Sequence, residues 1–265
     1  VRVAILIQYD GSNYHGWQIQ PELPTVQGFL ENALEDIFQK RIAIVGSGRT
    51  DSGVHALGQV AHFDLENSNI PACNMWKSLN RLLPDDIRVL ASSEVIEDFH
   101  SRFMATQREY KFDIVTSQNV LRRNSSWYVR FSLDLEKLQT LSEYIQGTHN
   151  FSSFCYAGSE TENMICNIYE AQWKQESDGV LRFTVKADRF LHHMVRMLVG
   201  SMIEVARGKW KPERFVSLID NPDRQNQTVT APSDGLALIQ VTYPEKQQPN
   251  WDQAQQNLVT SADEG

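Results

Sequence analysis

Ile42-Ala43-Ile44-Val45-Gly46-Ser47-Gly48-Arg49-Thr50-Asp51-Ser52-Gly53-Val54-His55-Ala56-Leu57-Gly58-Gln59-Val60-Ala61-His62-Phe63-Asp64-Leu65 sets an apolar run, a polar turn and a second apolar run in series. Ile42 to Val45 and Gln59 to Leu65 read as strands, and Gly48 to Leu57 as their connection. Upstream, Arg2 to Gln8 reads as a strand, followed by the glycine- and aromatic-rich loop Tyr9 to Trp17. Pro24 and Thr25 then open a helix, with Thr25 as its N-cap. Val26, Phe29, Leu30, Ala33, Leu34, Ile37 and Phe38 recur at helical spacing, which predicts one buried face. Downstream, a helix over about Cys73 to Leu83 stops at Pro84, and Arg88 to Val95 reads as a strand. The order β-α-β-β-α-β is ferredoxin-like.

A similar order recurs. Arg108 to Thr116 reads as a strand, Leu133 to Gln146 as a helix, and Ile168 to Gln175 and Val180 to Ala187 as strands. Phe190 to Arg207 reads as a long helix, Pro212 to Asp220 as a short one, and Leu236 to Val241 as a final strand. The expected fold class is therefore α+β, two ferredoxin-like (RRM-like) halves with mainly antiparallel sheets. Residues 1–100 form the first half and 101–244 the second, their sheets separate or continuous. Residues 245–265 are rich in Gln and Asn and are expected to be a disordered tail.

Composition narrows the function. Hydrophobic residues make up 41% and charged residues 22% of the 265, as in a soluble globular chain. No apolar stretch reaches the about 18 to 20 uncharged residues that span a bilayer. The most apolar segment, Phe190 to Ala206, contains His192, His193, Arg196 and Glu204. Val1 to Ile7 reads as a strand, without the layout of a signal peptide. Cys73, Cys155 and Cys166 are widely spaced, with no C-x-x-C, which fits a reducing cytoplasm and no structural metal. A net charge of −8 argues against gross nonspecific nucleic-acid binding but leaves room for a local basic groove.

Three features bear on chemistry. The turn places Arg49, Asp51 and His55 within seven positions, the composition of a site as well as of a polar hairpin connection. Arg196 sits within an otherwise apolar helix and cannot lose its charge. It calls for a carboxylate or a wet cleft, or serves as a structural ion pair. Asp51 is a candidate counter-charge, and an arginine beside it would keep the carboxylate ionised, as suits a nucleophile or base. Phe99 to Phe112 interleaves cations and rings, a pattern that holds phosphates and stacks on bases. A strand with one aromatic and one charged face makes the same pattern, and pattern alone favours it. His192-His193 and the pair His55 and His62 lack metal-ligand spacing, and no P-loop or G-x-G-x-x-G is present. Neither a metal nor a nucleotide cofactor is expected.

Five separated blocks resemble the tRNA pseudouridine synthase A family. They are Tyr9-Asp10-Gly11 through Gly16-Trp17 with Pro24-Thr25-Val26-Gln27-Gly28; Gly48-Arg49-Thr50-Asp51 through His55-Ala56 with Gly58-Gln59-Val60; Phe103 through Arg108-Glu109-Tyr110; Phe190 through Arg196 with Gly200; and Thr230-Ala231-Pro232 with Gly235-Leu236. Gly147-Thr148-His149-Asn150-Phe151 also looks similar, and the resemblance spans Val1 to Pro244. It implies a pseudouridine synthase fold. The implied activity converts uridine to pseudouridine at positions 38, 39 and 40 of the anticodon stem-loop of several tRNAs. The implied enzyme is a cytoplasmic homodimer with no metal or organic cofactor.

Residue by residue, the resemblance implies that Asp51 is the catalytic aspartate, that Arg196 pairs with it, and that Tyr110 stacks on the uracil. It implies that Arg49 helps hold the extruded base and that Leu236 belongs to the floor of the site. Base extrusion costs a few kcal/mol, which such contacts must offset. For the phosphates, Arg102 and Arg108 are the leading candidates, with Arg122, Arg123, Lys186 and Arg189 behind them. The chain departs from the pattern at Cys166, commonly arginine, at His100, commonly acidic, and at Gln107, commonly glycine or alanine. Two other functions fit parts of the sequence: a noncatalytic RNA-binding module on the same fold, and an Asp-dependent hydrolase. The intact Asp51, Tyr110 and Arg196 set argues against the first, and the lack of a second placed carboxylate against the other.

Overall fold

Strand β1 (Arg2–Tyr9) lies between β3 (His55–Asp64) and β4 (Ile87–Val95) and is antiparallel to both. Val3, Ala4, Ile5 and Ile7 of this strand are fully buried, as a central strand requires. The computed structural model describes residues 1–66, 68–176 and 178–252. They pack as two compact units, Val1–Thr106 with the described residues from Leu238 on, and Gln107–Ala237. Because the last strand begins in one unit and ends in the other, this division differs from a linear cut near residue 100.

In the first unit, β2 (Val45–Gly46) pairs antiparallel with β3, so the order β4-β1-β3-β2 is that of the ferredoxin-like motif. The strand β10 (Leu236–Thr242) also lies against β3. Gly58 allows that approach, since a Cβ there would stand 2.4 Å from the Ile239 carbonyl oxygen. Helix α1 (Val26–Phe38) starts at Thr25, whose Oγ1 accepts from the Gly28 N–H at 3.3 Å. Its buried face is Val26, Gln27, Leu30, Glu31, Ala33 and Leu34. Phe29, expected on that face, is instead exposed and meets the Tyr14 ring edge-on.

The two buried polar residues explain why β2 is shorter than the apolar run Ile42 to Val45. Gln27 Nε2 donates to the Ile44 carbonyl at 3.1 Å, and the Ile44 N–H donates to Glu31 Oε1 at 3.0 Å. Helix side chains thus satisfy the backbone that a strand neighbour would otherwise hold. Helix α2 (Met75–Leu79) is likewise shorter than its apolar pattern, because a 3-10 turn over Ala72–Asn74 precedes it.

In the second unit β5 (Gln107–Val115), β9 (Val180–Ala187), β8 (Ile165–Gln175) and β7 (Gly147–Asn150) lie in that order, each antiparallel to its neighbour. Short β6 (Trp127–Tyr128) adds to β5 in parallel. Helices α3 (Leu135–Tyr144), α4 (Met194–Ala206) and α5 (Pro212–Asp220) complete the unit. Phe112, Phe151, Phe154, Phe183, Leu198 and Phe215 are fully buried in its core. The run from Phe190 does not enter the helix directly. His193 takes a left-handed conformation at φ +64°, and α4 begins at Met194. Both units are α+β with mainly antiparallel sheets, as expected.

Most of the tail expected to be disordered, 253–265, lies outside the described residues. Residues 245–252 include a 3-10 turn over Glu245–Gln247 and a buried Pro249.

Candidate active site

In the first unit the Asp51 turn is held from several sides, mostly through its backbone. The Thr50 carbonyl accepts from the Trp17 N–H at 3.1 Å, and the Tyr14 carbonyl accepts from the Gly53 N–H at 3.2 Å and from Ser52 Oγ at 3.3 Å. The Val54 N–H closes the turn on the Asp51 carbonyl at 3.1 Å. Thr50 Oγ1 shares a buried 2.8 Å hydrogen bond with the Tyr9 hydroxyl, and burial pushes that phenol's pKa upward. On the other arm, fully buried Gln59 accepts from Ser47 Oγ at 2.6 Å and donates to the Gly48 carbonyl at 3.0 Å.

Close backbone approaches complete the cradle. A Cβ on Gly16, at φ +87°, would stand 2.5 Å from the Thr50 oxygen, and one on Gly11 would stand 2.1 Å from the Val54 oxygen. Only glycine fits such positions. The Gly11 N–H donates to His55 Nδ1 at 3.1 Å, so this imidazole braces the glycine loop. Tyr14 donates to Asp86, which also accepts from Asn13 Nδ2 at 3.0 Å. The block Tyr9 to Trp17 is thus the scaffold of the aspartate turn, a role that sequence reasoning did not assign. Asp51 itself is half-buried, and Arg49 is exposed.

Arg102 is also in the first unit, exposed, with its guanidinium carbon 5.6 Å from the centre of the Phe103 ring. His62 is buried at 4% exposure, and its Nδ1 accepts from the Ser101 N–H at 3.2 Å. Burial, then the positive charges of Arg2 and His100, bring its pKa down from 6.5 to about 4.

The second unit carries Tyr110, Arg108, Arg196 and Leu236. Tyr110 stands mid-strand on β5 opposite Val185, half-buried, its ring edge-on to Phe190 at 5.1 Å. Arg108 Nη1 donates to the Asp188 carbonyl at 2.8 Å. Arg196 is half-buried on α4, where its Nε donates to the Ala231 carbonyl at 2.9 Å and its own carbonyl accepts from the Ala231 N–H at 3.0 Å. Gly200 permits this strap to lie so close, since a Cβ there would stand 2.2 Å from the Val229 oxygen. The block Thr230-Ala231-Pro232 thereby fixes the direction of the arginine. Leu236 is buried. The His192 and His193 rings lie 4.2 Å apart with their planes inclined by 57°, and they lie against Tyr156 at 5.0 and 5.2 Å respectively. Two weaker phosphate candidates are engaged by carboxylates: Arg122 pairs with Asp178, and Lys186 with Glu170 at 2.7 Å.

Each unit thus carries its own part of the expected set, Asp51 and Arg49 on the turn of the first and Tyr110, Arg196 and Leu236 in the second. The chain is a member of the tRNA pseudouridine synthase family, whose model matches residues 5–104 and 141–244. It is an isomerase that acts on uridine in tRNA. Asp51, Arg49, Arg102, Arg196 and Leu236 lie within the matched segments, and Arg108 and Tyr110 lie between them. The chain is 41% identical over 244 residues to tRNA pseudouridine synthase A of Exiguobacterium sibiricum, covering 92% of this chain and 97% of that one. It is 40% identical over 243 residues to the Acetivibrio thermocellus protein of the same name, covering 91% and 99%. For the Bacillus pumilus protein, also of that name, identity is 42% over 247 residues, covering 92% and 99%. Among the described residues no helix is long and apolar enough to cross a membrane.

Proposed function

We propose that this chain isomerises uridines at positions 38, 39 and 40 in the anticodon stem-loop of several tRNAs, as a cytoplasmic homodimer without metal or organic cofactor. The reaction breaks the bond from C1′ to uracil N1 and forms one from C1′ to C5. The C5 proton is released and N1 gains one, so no electrons are exchanged with a redox partner. Asp51 is assigned the attacking carboxylate, acting on the nucleotide or on a ribose proton. Arg196 is assigned its counter-charge, Tyr110 the ring that stacks on the uracil, and Leu236 the floor beneath it. Arg49 is assigned to hold the extruded base, and Arg102 and Arg108 to contact phosphates.

The observation that carries this reading is the construction of the Asp51 turn. Its hydrogen bonds hold the backbone on both sides of the aspartate, so the fold sets where the carboxylate stands. A preorganised charge acts without reorganisation cost at the moment of reaction. The test is Asp51→Asn with tRNA tritiated at uridine C5. Tritium release is expected to vanish while the fold and tRNA binding persist, and full release by that variant would sink the assignment.

A further inference from the structure

Residues 100–104 form a turn that no step of the isomerisation uses. The His100 Nδ1 accepts from the N–H groups of Arg102 at 3.2 Å and Phe103 at 3.3 Å, and the His100 carbonyl accepts from the Met104 N–H at 3.0 Å. The root of the turn is fixed at Ser101, which is fully buried. Ser101 Oγ donates to the Val45 carbonyl at 2.7 Å, and the Ser101 carbonyl accepts from the Tyr243 hydroxyl at 2.7 Å. From this anchored base Phe103 projects with 76% of its surface exposed.

An exposed phenyl ring on a flexible tip would be unremarkable, but this one is supported. The His100 imidazole lies 4.3 Å from it with the two planes inclined by 35°, and the Arg102 guanidinium stands 5.6 Å from its centre. Because Nδ1 accepts two N–H groups, the proton of the neutral ring sits on Nε2. Burial, and then the charge of Arg2, hold the His100 pKa below its ordinary value, so the imidazole is an uncharged partner for the phenyl ring at neutral pH. Arg2 itself is committed to Asp64 and to the Phe99 carbonyl, so the cation beside the ring is Arg102.

A rigid ring beside a cation is the chemistry that takes a nucleobase with its phosphate. We propose that Phe103, backed by His100 and flanked by Arg102, is a stacking platform for an unpaired base of the tRNA substrate other than the reacting uridine. The proposal rests on the family's tRNA substrate, and it assigns Phe103 and His100 a binding role separate from the reaction at Asp51. Preorganisation favours this occupant, because the anchored turn pays little ordering cost on binding.

The experiment measures tRNA affinity, pseudouridine formation at saturating tRNA, and ultraviolet crosslinking with mass-spectrometric mapping. Phe103→Ala should weaken tRNA binding about ten-fold, the scale of one lost base stack, with the saturated rate within about two-fold. Phe103→Tyr should restore affinity. His100→Asp keeps an acceptor for the two N–H groups but removes the supporting ring, and should weaken binding about three-fold. In the unaltered chain a nucleotide should crosslink at Phe103. So exposed a ring contributes little to the core, and unchanged thermal melts would exclude misfolding. Unaltered affinity in Phe103→Ala, or no crosslink at Phe103, would overturn the proposal. So would a change of oligomeric state by sedimentation with affinity per assembled protein unchanged, which would mean that a second copy covers the ring. Asp51→Asn separates the two ideas: it tests the reaction and leaves the platform's affinity and crosslink to be read on their own.

Discussion

Replacing Gly16 by alanine puts the cradle of Asp51 under direct test. The new methyl carbon would lie 2.5 Å from the Thr50 carbonyl oxygen, 3.1 Å from the Asp51 carbonyl carbon and 3.2 Å from the Ser52 nitrogen. Ordinary contact begins near 3.4 Å, so Thr50 must retreat by about 0.9 Å or Gly16 must move away. Either motion disturbs the hydrogen bond from the Trp17 N–H to Thr50. An alanine forced to φ +87° costs about 1–2 kcal/mol, and the overpacking about 1–3 kcal/mol more. The expected loss of stability is about 2–5 kcal/mol, read from urea denaturation. A misplacement of about 1 Å lowers a catalytic rate on the order of a hundred-fold, read as pseudouridine formation at saturating tRNA. Gly48→Ala is the control, because it lies on the same turn with nothing within 4 Å of its added carbon. It should change stability by no more than about 0.5 kcal/mol. If Gly16→Ala kept the normal rate and stability, or if both variants lost activity equally, the turn would not be held as described.

Two further perturbations probe each unit by itself. The folded-state pKa of His62, about 4, lies below its unfolded value, so the neutral ring is the form that folding favours. Its contribution is complete above about pH 6.5 and is lost as pH falls toward 4, by about 2–3 kcal/mol. His62→Asn should flatten that part of the stability profile between pH 7 and 4.5, and an unaltered slope would contradict the assignment. In the second unit, Asp113 is 1% exposed and accepts from Arg182 Nε at 2.7 Å, Arg182 Nη2 at 3.0 Å and Lys111 Nζ at 2.9 Å. Asp113→Ala leaves two cations without this carboxylate and should cost about 3–5 kcal/mol in chemical denaturation. A loss below about 1 kcal/mol would show that water serves the cations equally well.

Elements with a local cause were readable from sequence. Helix α1 announces itself through its apolar period and the Thr25 cap, and β1 through the unbroken apolar run Val3 to Ile7. Elements decided by distant partners were not. Ile42 to Val45 has the composition of a full strand, yet Gln27 and Glu31 occupy the backbone of Ile44 from a helix that precedes it. Strand β7, Gly147–Asn150, is short and polar and owes its existence to pairing with β8. At Phe190 to His193 the apolar pattern runs on into α4, and only the left-handed backbone of His193 reveals where the helix starts. A period counts side chains and is blind to the sign of φ.

The candidate site divides along the same line. Asp51 stood out because an apolar chain rarely gathers a cation, a carboxylate and an imidazole in one turn. Its supports did not, because Tyr9 and Thr50 are 41 positions apart and Ser47 and Gln59 are 12 apart, distances at which no local pattern is left. Arg196 was legible as an arginine in an apolar helix that needs partners. One partner had no local signal: its Nε donates to the neutral carbonyl of Ala231, on a strap that Gly200 admits. That bond sets the direction of the guanidinium at no electrostatic cost to its charge. The glycines Gly16 and Gly200 therefore do similar work in the two units: each lets a backbone carbonyl, that of Thr50 or of Val229, come closer than any side chain would permit, beside the turn of Asp51 in one unit and the strap that holds Arg196 in the other.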